Sequence, residues 1–193
     1  MKFLTEGYEL TTAITNIFIF IVGLYGFINI KKDKLWKDFF FFVTIDSFLG
    51  VIVHGIKMST MTNNILWIIL SILFTFTVNT MFCIFIKFKL KYGLILSLLL
   101  SLLLLTQLVL GQDFIITFLL YIIMILVFSI YYIIRFNYKN KKYFLLGFLI
   151  AFIGGLFSLF KVDPPILDHN GITHLFTVVA LILFYIGIKK NEN

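Results

Sequence analysis

The stretch from Phe114 to Ile134 is apolar on every face of a helix, and Leu94–Leu105 repeats the feature. A membrane-spanning β-strand needs about 10 residues that alternate apolar and polar. Longer runs without alternation can cross lipid only as helices, whose backbone groups satisfy one another within the segment. With 61% of its 193 residues hydrophobic and 13% charged, the chain has more apolar surface than a soluble domain of this length can bury. Lipid must therefore be the solvent for much of it. Phe contributes 25 residues and Pro only 2, so the apolar segments read as continuous helices.

Segments of spanning length fall at roughly 9–30, 38–58, 64–86, 92–111, 114–134, 143–160 and 171–188. The weakest division lies between the third and fourth, where Lys87, Lys89 and Lys91 supply the only break. The expected fold is all-α: one polytopic domain over 1–193, a membrane bundle of about seven transmembrane helices. The first apolar segment follows Glu6 and Glu9 rather than a basic region, so it reads as a retained span and not a cleaved signal.

Charge orients the bundle. Lys31, Lys32, Lys34 and Lys37 precede the second span, and Lys87, Lys89 and Lys91 precede the fourth. Arg135, Lys139, Lys141 and Lys142 precede the sixth, and Lys189 and Lys190 follow the seventh. The opposite side keeps only Lys2, Lys57 and Lys161 of the 16 basic residues. Such alternation places the N-terminus outside and the C-terminus in the cytoplasm. A multi-pass protein of the cell membrane, of the bacterial inner-membrane type, is the expected localisation. The net charge of +7 is thus a topology signal, and no nucleic-acid partner is expected. Cys83 is the only cysteine and sits within an apolar span, where it reads as a small buried side chain. No nucleotide-binding or haem-attachment pattern is present.

The polar residues collect at one level. His54 ends an outward-running span, while His169 and His174 open an inward-running one, so all three histidines come out at the outer leaflet. Glu9, Thr12 and Asn16 share a helix face at the outer end of the first span. They read either as part of a site or as a cluster stabilising the helix start. Asp163 and Asp168 lie in the last outer loop, beside Pro164 and Pro165. Imidazoles with an open fourth position are what a catalytic zinc ion requires. His54, His169 and His174 are the candidate ligands. The latter two are about 140° apart on an ideal helix, so they converge only if His169 sits at or before the helix start. Asp46 and Ser47 lie near mid-membrane, and Ser47 shares a face with His54. Ionisable groups at that depth are a functional hypothesis by default. Asp46, Ser47, Glu9 and Asp168 are therefore the candidate catalytic residues. Asn79 and Gln107 read as hydrogen-bonding contacts between helices.

The segment Asp46-Ser47-Phe48-Leu49-Gly50-Val51-Ile52-Val53-His54-Gly55 and the segment Asp168-His169-Asn170-Gly171-Ile172-Thr173-His174 resemble motifs of the CREST superfamily. That group comprises the alkaline ceramidases, the progestin and adipoQ receptors and the haemolysin-III-like proteins. The layout is similar over nearly the whole chain, whereas the matching motifs cover about a tenth of it, as in a divergent prokaryotic branch. The resemblance implies seven helices, a zinc ion near the non-cytoplasmic side and cleavage of a lipid amide. The chain departs from the pattern at Gly50, where the family carries serine, and at Asn63 and Asn64, where it carries aspartate. Its last two histidines are spaced by five residues, not four.

The resulting expectation is a zinc-dependent membrane hydrolase acting on a lipid amide or ester, with membrane lipid as its partner. Two alternatives stand beside it. One is a non-catalytic receptor or sensor with a structural metal. The other is a small-solute transporter, for which matching Gly- or Pro-broken spans in two halves are missing.

Overall fold

A computed structural model describes residues 9–86, 139–163 and 165–192, together with scattered helical positions between Ile95 and Arg135. The expected spans 92–111 and 114–134 lie, apart from those positions, outside the described residues. So do Gln107, Lys87, Lys89, Lys91 and Pro164.

Among the described residues, five helices are long and apolar enough to cross a membrane: α1 (Leu10–Asn29), α2 (Lys34–Gly55), α3 (Thr60–Ile86), α4 (Lys141–Leu159) and α5 (His169–Glu192). Among the described residues there is no strand. The described fold is all-helical, with helices that have the length and apolarity of membrane spans.

Local chemistry sets the boundaries. Asp33 caps α2 by accepting the Trp36 N–H at 3.2 Å. Ser59 accepts the Thr62 N–H at 3.2 Å, which lets α3 begin at Thr60. Asp168 accepts the Gly171 N–H at 2.5 Å and starts α5 at His169. Each satisfies a donor that the first helical turn leaves unpaired.

α1 and α2 form an antiparallel pair whose backbones approach closely at glycines. A Cβ on Gly23 would stand 2.9 Å from Thr44 Oγ1, and one on Gly50 would stand 2.9 Å from the Asn16 amide. The ring of Phe40 fills the space over Gly26. α4 and α5 pair in the same way, with Phe184 against Gly147 and Phe176 against Gly154. Lipid tails are as apolar as the helices, so close packing at small residues takes the place of hydrophobic driving force. α1 also runs alongside α5 in parallel, and α2 against α3. On α1 the exposed Ile14, Ile17, Phe18, Ile21, Tyr25 and Ile28 form the outer stripe, opposite the buried Thr12, Thr15, Asn16, Ile19, Gly23 and Gly26.

An aromatic core fills the end where α2 begins and α5 ends. Trp36 stacks on Phe144 at 5.4 Å and meets Phe85 edge-on at 5.6 Å, and Phe184 packs against Phe148 at 5.1 Å. Below it, the Glu192 carboxylate accepts the N–H groups of Lys31 (3.0 Å) and Lys32 (2.9 Å) and the Lys189 ammonium (2.6 Å). Asn140 donates to Asn191 at 2.6 Å. Polar side chains at the other end are arranged differently.

Candidate functional site

The end of α2 and the starts of α1 and α5 meet in a polar cluster. Glu9 precedes α1 but does not cap it with its side chain. Its N–H donates to the His54 carbonyl at 3.1 Å, which lays the start of α1 against the end of α2. Its Oε2 accepts from Asn170 at 3.1 Å and lies 3.3 Å from His54 Nδ1. That last contact has the distance of an ion pair without hydrogen-bond alignment, and the buried Nδ1 has no hydrogen-bond partner. The expected common face of Glu9, Thr12 and Asn16 is present, and it bridges helices instead of capping one.

His174 enters from the first turns of α5. Its Nδ1 lies 3.2 Å from Thr15 Oγ1. The Thr15 hydroxyl is also 3.0 Å from both the Thr11 and Thr12 carbonyls. With its single hydrogen directed to those carbonyls, Oγ1 accepts from Nδ1–H, which leaves Nε2 as the bare nitrogen of His174. The His54 and His174 rings are 6.4 Å apart and nearly perpendicular. Trp67 of α3 closes the other side of His54, edge-on at 5.3 Å.

Asp168 ties α5 to α1. It accepts from Thr12 Oγ1 at 2.6 Å, from Thr11 Oγ1 and from the Gly171 N–H. Burial raises its pKa, but these hydrogen bonds outweigh burial and hold it below the ordinary carboxylate range. The contact with His54, reinforced by Asn170, likewise lowers the pKa of Glu9 against the opposing effect of burial. Both groups are carboxylates at neutral pH.

The third expected ligand is oriented differently. His169 Nδ1 lies 2.8 Å from the carboxylate of Asp163, which also accepts the His169 N–H at 2.7 Å. This pairing lowers the pKa of Asp163. Its physical reason is the five-residue spacing, which turns His169 away from His174 toward the outer loop. Among the described residues, no three His, Cys, Asp or Glu side chains converge closely enough to hold a metal ion. His54 and His174 do lie near one another.

The remaining candidates stand apart. Ser47 is buried, and its hydroxyl donates to the Val43 (2.7 Å) and Thr44 (3.1 Å) carbonyls. Asp46 lies eight residues before His54, about 12 Å along the helix, with its Oδ1 enclosed and unpartnered. Gly50, between them, is filled by Asn16. Asn79 is buried, and neither of its amide atoms has a hydrogen-bond partner. Two residues of the site carried no signal of their own in the sequence, Thr15 and Trp67. Only their i+3 and i+4 relation to other polar residues of the same helix marks them.

The profile of a family of unknown function, DUF6962, matches residues 11–193. The chain belongs to that family. The matched region takes in His54, His174, Thr15 and Asp168 and begins two residues after Glu9. No curated protein and no solved structure matches the chain.

Proposed function

We propose that this is a seven-span protein of the cell membrane, N-terminus outside and C-terminus cytoplasmic, that hydrolyses a lipid amide or ester at the outer leaflet with a zinc ion. The alternation of basic clusters supports the span count and orientation. The observation that carries the chemistry is the pair His54 and His174. Two helices distant in sequence bring these imidazoles to ring centres 6.4 Å apart, one with an unpartnered buried Nδ1 and the other with Nε2 bare. A buried polar nitrogen without a partner costs free energy, and a ligand-binding role accounts for keeping it.

The donor chemistry fits zinc for these two residues, while His169 is engaged by Asp163. Zinc, when bound, supplies Lewis-acid polarisation of a substrate carbonyl. The chain supplies the rest. Thr15 fixes the tautomer of His174, Trp67 packs the ring of His54, and Asp168 anchors the first turn of α5 on which His174 rides. Glu9, ionised and next to His54, is the proton acceptor in position; Asp46 and Ser47 are not.

Elemental analysis of detergent-purified protein, wild type against His54→Ala and His174→Ala, tests the reading. About one zinc per chain, lost in both variants, supports it, and a lipid-amidase screen follows. A folded wild type without metal at neutral pH overturns it. The engagement of Ser47 with its own backbone favours a second reading, a non-catalytic sensor, for which zinc would bind without turnover.

A further inference from the structure

We propose that the basic end of the bundle holds the headgroup of one anionic phospholipid, in a cavity between the start of α2 and the end of α5. The inference is independent of the zinc reading and concerns the opposite end of the molecule.

The cavity has a volume of about 350 Å³. Leu35, Trp36 and Ile188 give it apolar walls, and Lys32, Lys34 and Asn191 give it polar ones. That volume is at the small end of ligand sites, enough for a phosphate and its glycerol but not for acyl chains. A lipid whose tails stay in the bilayer meets that limit. Because α2 begins here and α5 ends here, the cavity stands at headgroup depth.

Two carboxylates, Asp33 and Glu192, also line the cavity, and both are already engaged. Asp33 accepts the Trp36 N–H at 3.2 Å. Glu192 accepts the N–H groups of Lys31 and Lys32 at 3.0 and 2.9 Å and the Lys189 ammonium at 2.6 Å. Successive backbone N–H groups converging on one oxygen make an anion-binding concavity. This end therefore already binds one anion, supplied by the chain itself.

The lysines on the cavity keep charge for a second. The Lys32 ammonium donates to the Glu192 main-chain carbonyl, a neutral acceptor that leaves its charge unbalanced. Lys34 pairs with Asp38 at 2.6 Å, but its side chain is 79% exposed, where such a pair is worth little. Around the cavity, Lys31, Lys32, Lys34, Lys37, Lys189 and Lys190 stand against only Asp33, Asp38 and Glu192. The excess of positive charge favours an anionic headgroup over a zwitterionic one.

The test uses the full chain, delipidated in detergent and titrated with short-chain phosphatidylglycerol or phosphatidylcholine, with bound lipid counted by native mass spectrometry. One phosphatidylglycerol should bind at least tenfold more tightly than phosphatidylcholine. Lys32→Gln and Lys34→Gln should each weaken it by more than tenfold, and Lys32→Arg should keep it. Lys37→Gln removes an equal charge outside the cavity. It should cost no more than about fivefold, the effect of general attraction to a basic surface. A loss in Lys37→Gln as large as in the other two, or equal binding of the two lipids, overturns the proposal. Inorganic phosphate binding as tightly as phosphatidylglycerol would assign the cavity to free phosphate and overturn it as well.

Discussion

Thr12 and Asp168, 156 positions apart in the chain, are joined by a 2.6 Å hydrogen bond from Oγ1 to Oδ1. With Thr11 and the Gly171 N–H on the same carboxylate, this contact makes the N-cap of α5 an anchor on α1. One side chain thus starts a helix and docks it.

Removing that anchor should cost more than a helix cap. Asp168→Ala is expected to lose on the order of 2–3 kcal/mol, since hydrogen bonds to a charged group contribute more than neutral ones. Thermal unfolding in detergent reads the loss, and Thr12→Val should give a smaller part of it. An Asp168→Ala variant as stable as wild type would contradict the anchoring role.

The same carboxylate makes stability depend on acid. Its pKa in the folded protein lies below the ordinary value of 3.8. A depressed folded pKa stabilises fully above the unfolded value and loses that contribution as pH falls through the folded one. The difference in unfolding temperature between wild type and Asp168→Asn should therefore be constant near neutral pH and shrink below about pH 4.

Adjacent glycines of α4 should respond oppositely to the same substitution. A Cβ on Gly154 would stand 2.5 Å from Phe176 Cβ, an atom with no rotamer to move. Gly154→Ala should destabilise by about 1–3 kcal/mol. Nothing lies within 4 Å of the corresponding position on Gly155, so Gly155→Ala should be neutral or stabilise by up to about 1 kcal/mol through helix propensity. Unfolding temperatures of the two variants decide the matter.

Ser47→Ala should leave metal content and any lipid hydrolysis within about twofold of wild type, because its hydroxyl serves the α2 backbone. Thr15→Val, by contrast, removes the acceptor that orients His174. A roughly tenfold loss of zinc affinity is expected, the usual effect of removing such a partner. Chelator competition measures both.

Topology is open to direct labelling. In a Cys83→Ser background, Val162→Cys and Lys190→Cys lie at exposed positions near opposite ends of α5. An impermeant maleimide applied to intact cells should label the first, and the second only after permeabilisation. Labelling of both from outside would reject the proposed orientation.

Much of the scaffold was legible because lipid imposes length and apolarity on every span. All five described helices begin and end within four residues of the expected segments. α3 starts at Thr60 rather than 64 because Ser59 caps a turn of polar residues that by composition reads as loop. The common level of His54 and His174 was legible from alternation. The turn of His169 away from His174 follows from their five-residue spacing, but its partner Asp163 was not legible, because the aim of that carboxylate is set by the loop between α4 and α5. Thr15 was hidden for a related reason. A threonine within an apolar helix ordinarily donates to its own backbone, as Thr44 and Thr77 do here, and nothing in the sequence shows that one such oxygen also accepts from a histidine.

The parallel contact of α1 with α5, held by Asp168 above and by Lys189 and Glu192 below, has a consequence for biosynthesis. α1 leaves the ribosome well before α5 and exposes the polar edge of Thr11, Thr12 and Thr15 until α5 arrives. The nascent chain must keep that edge sheltered through the insertion of every intervening span. A chain truncated before α5 would leave it without its partner, which gives membrane quality control a simple mark of incompleteness.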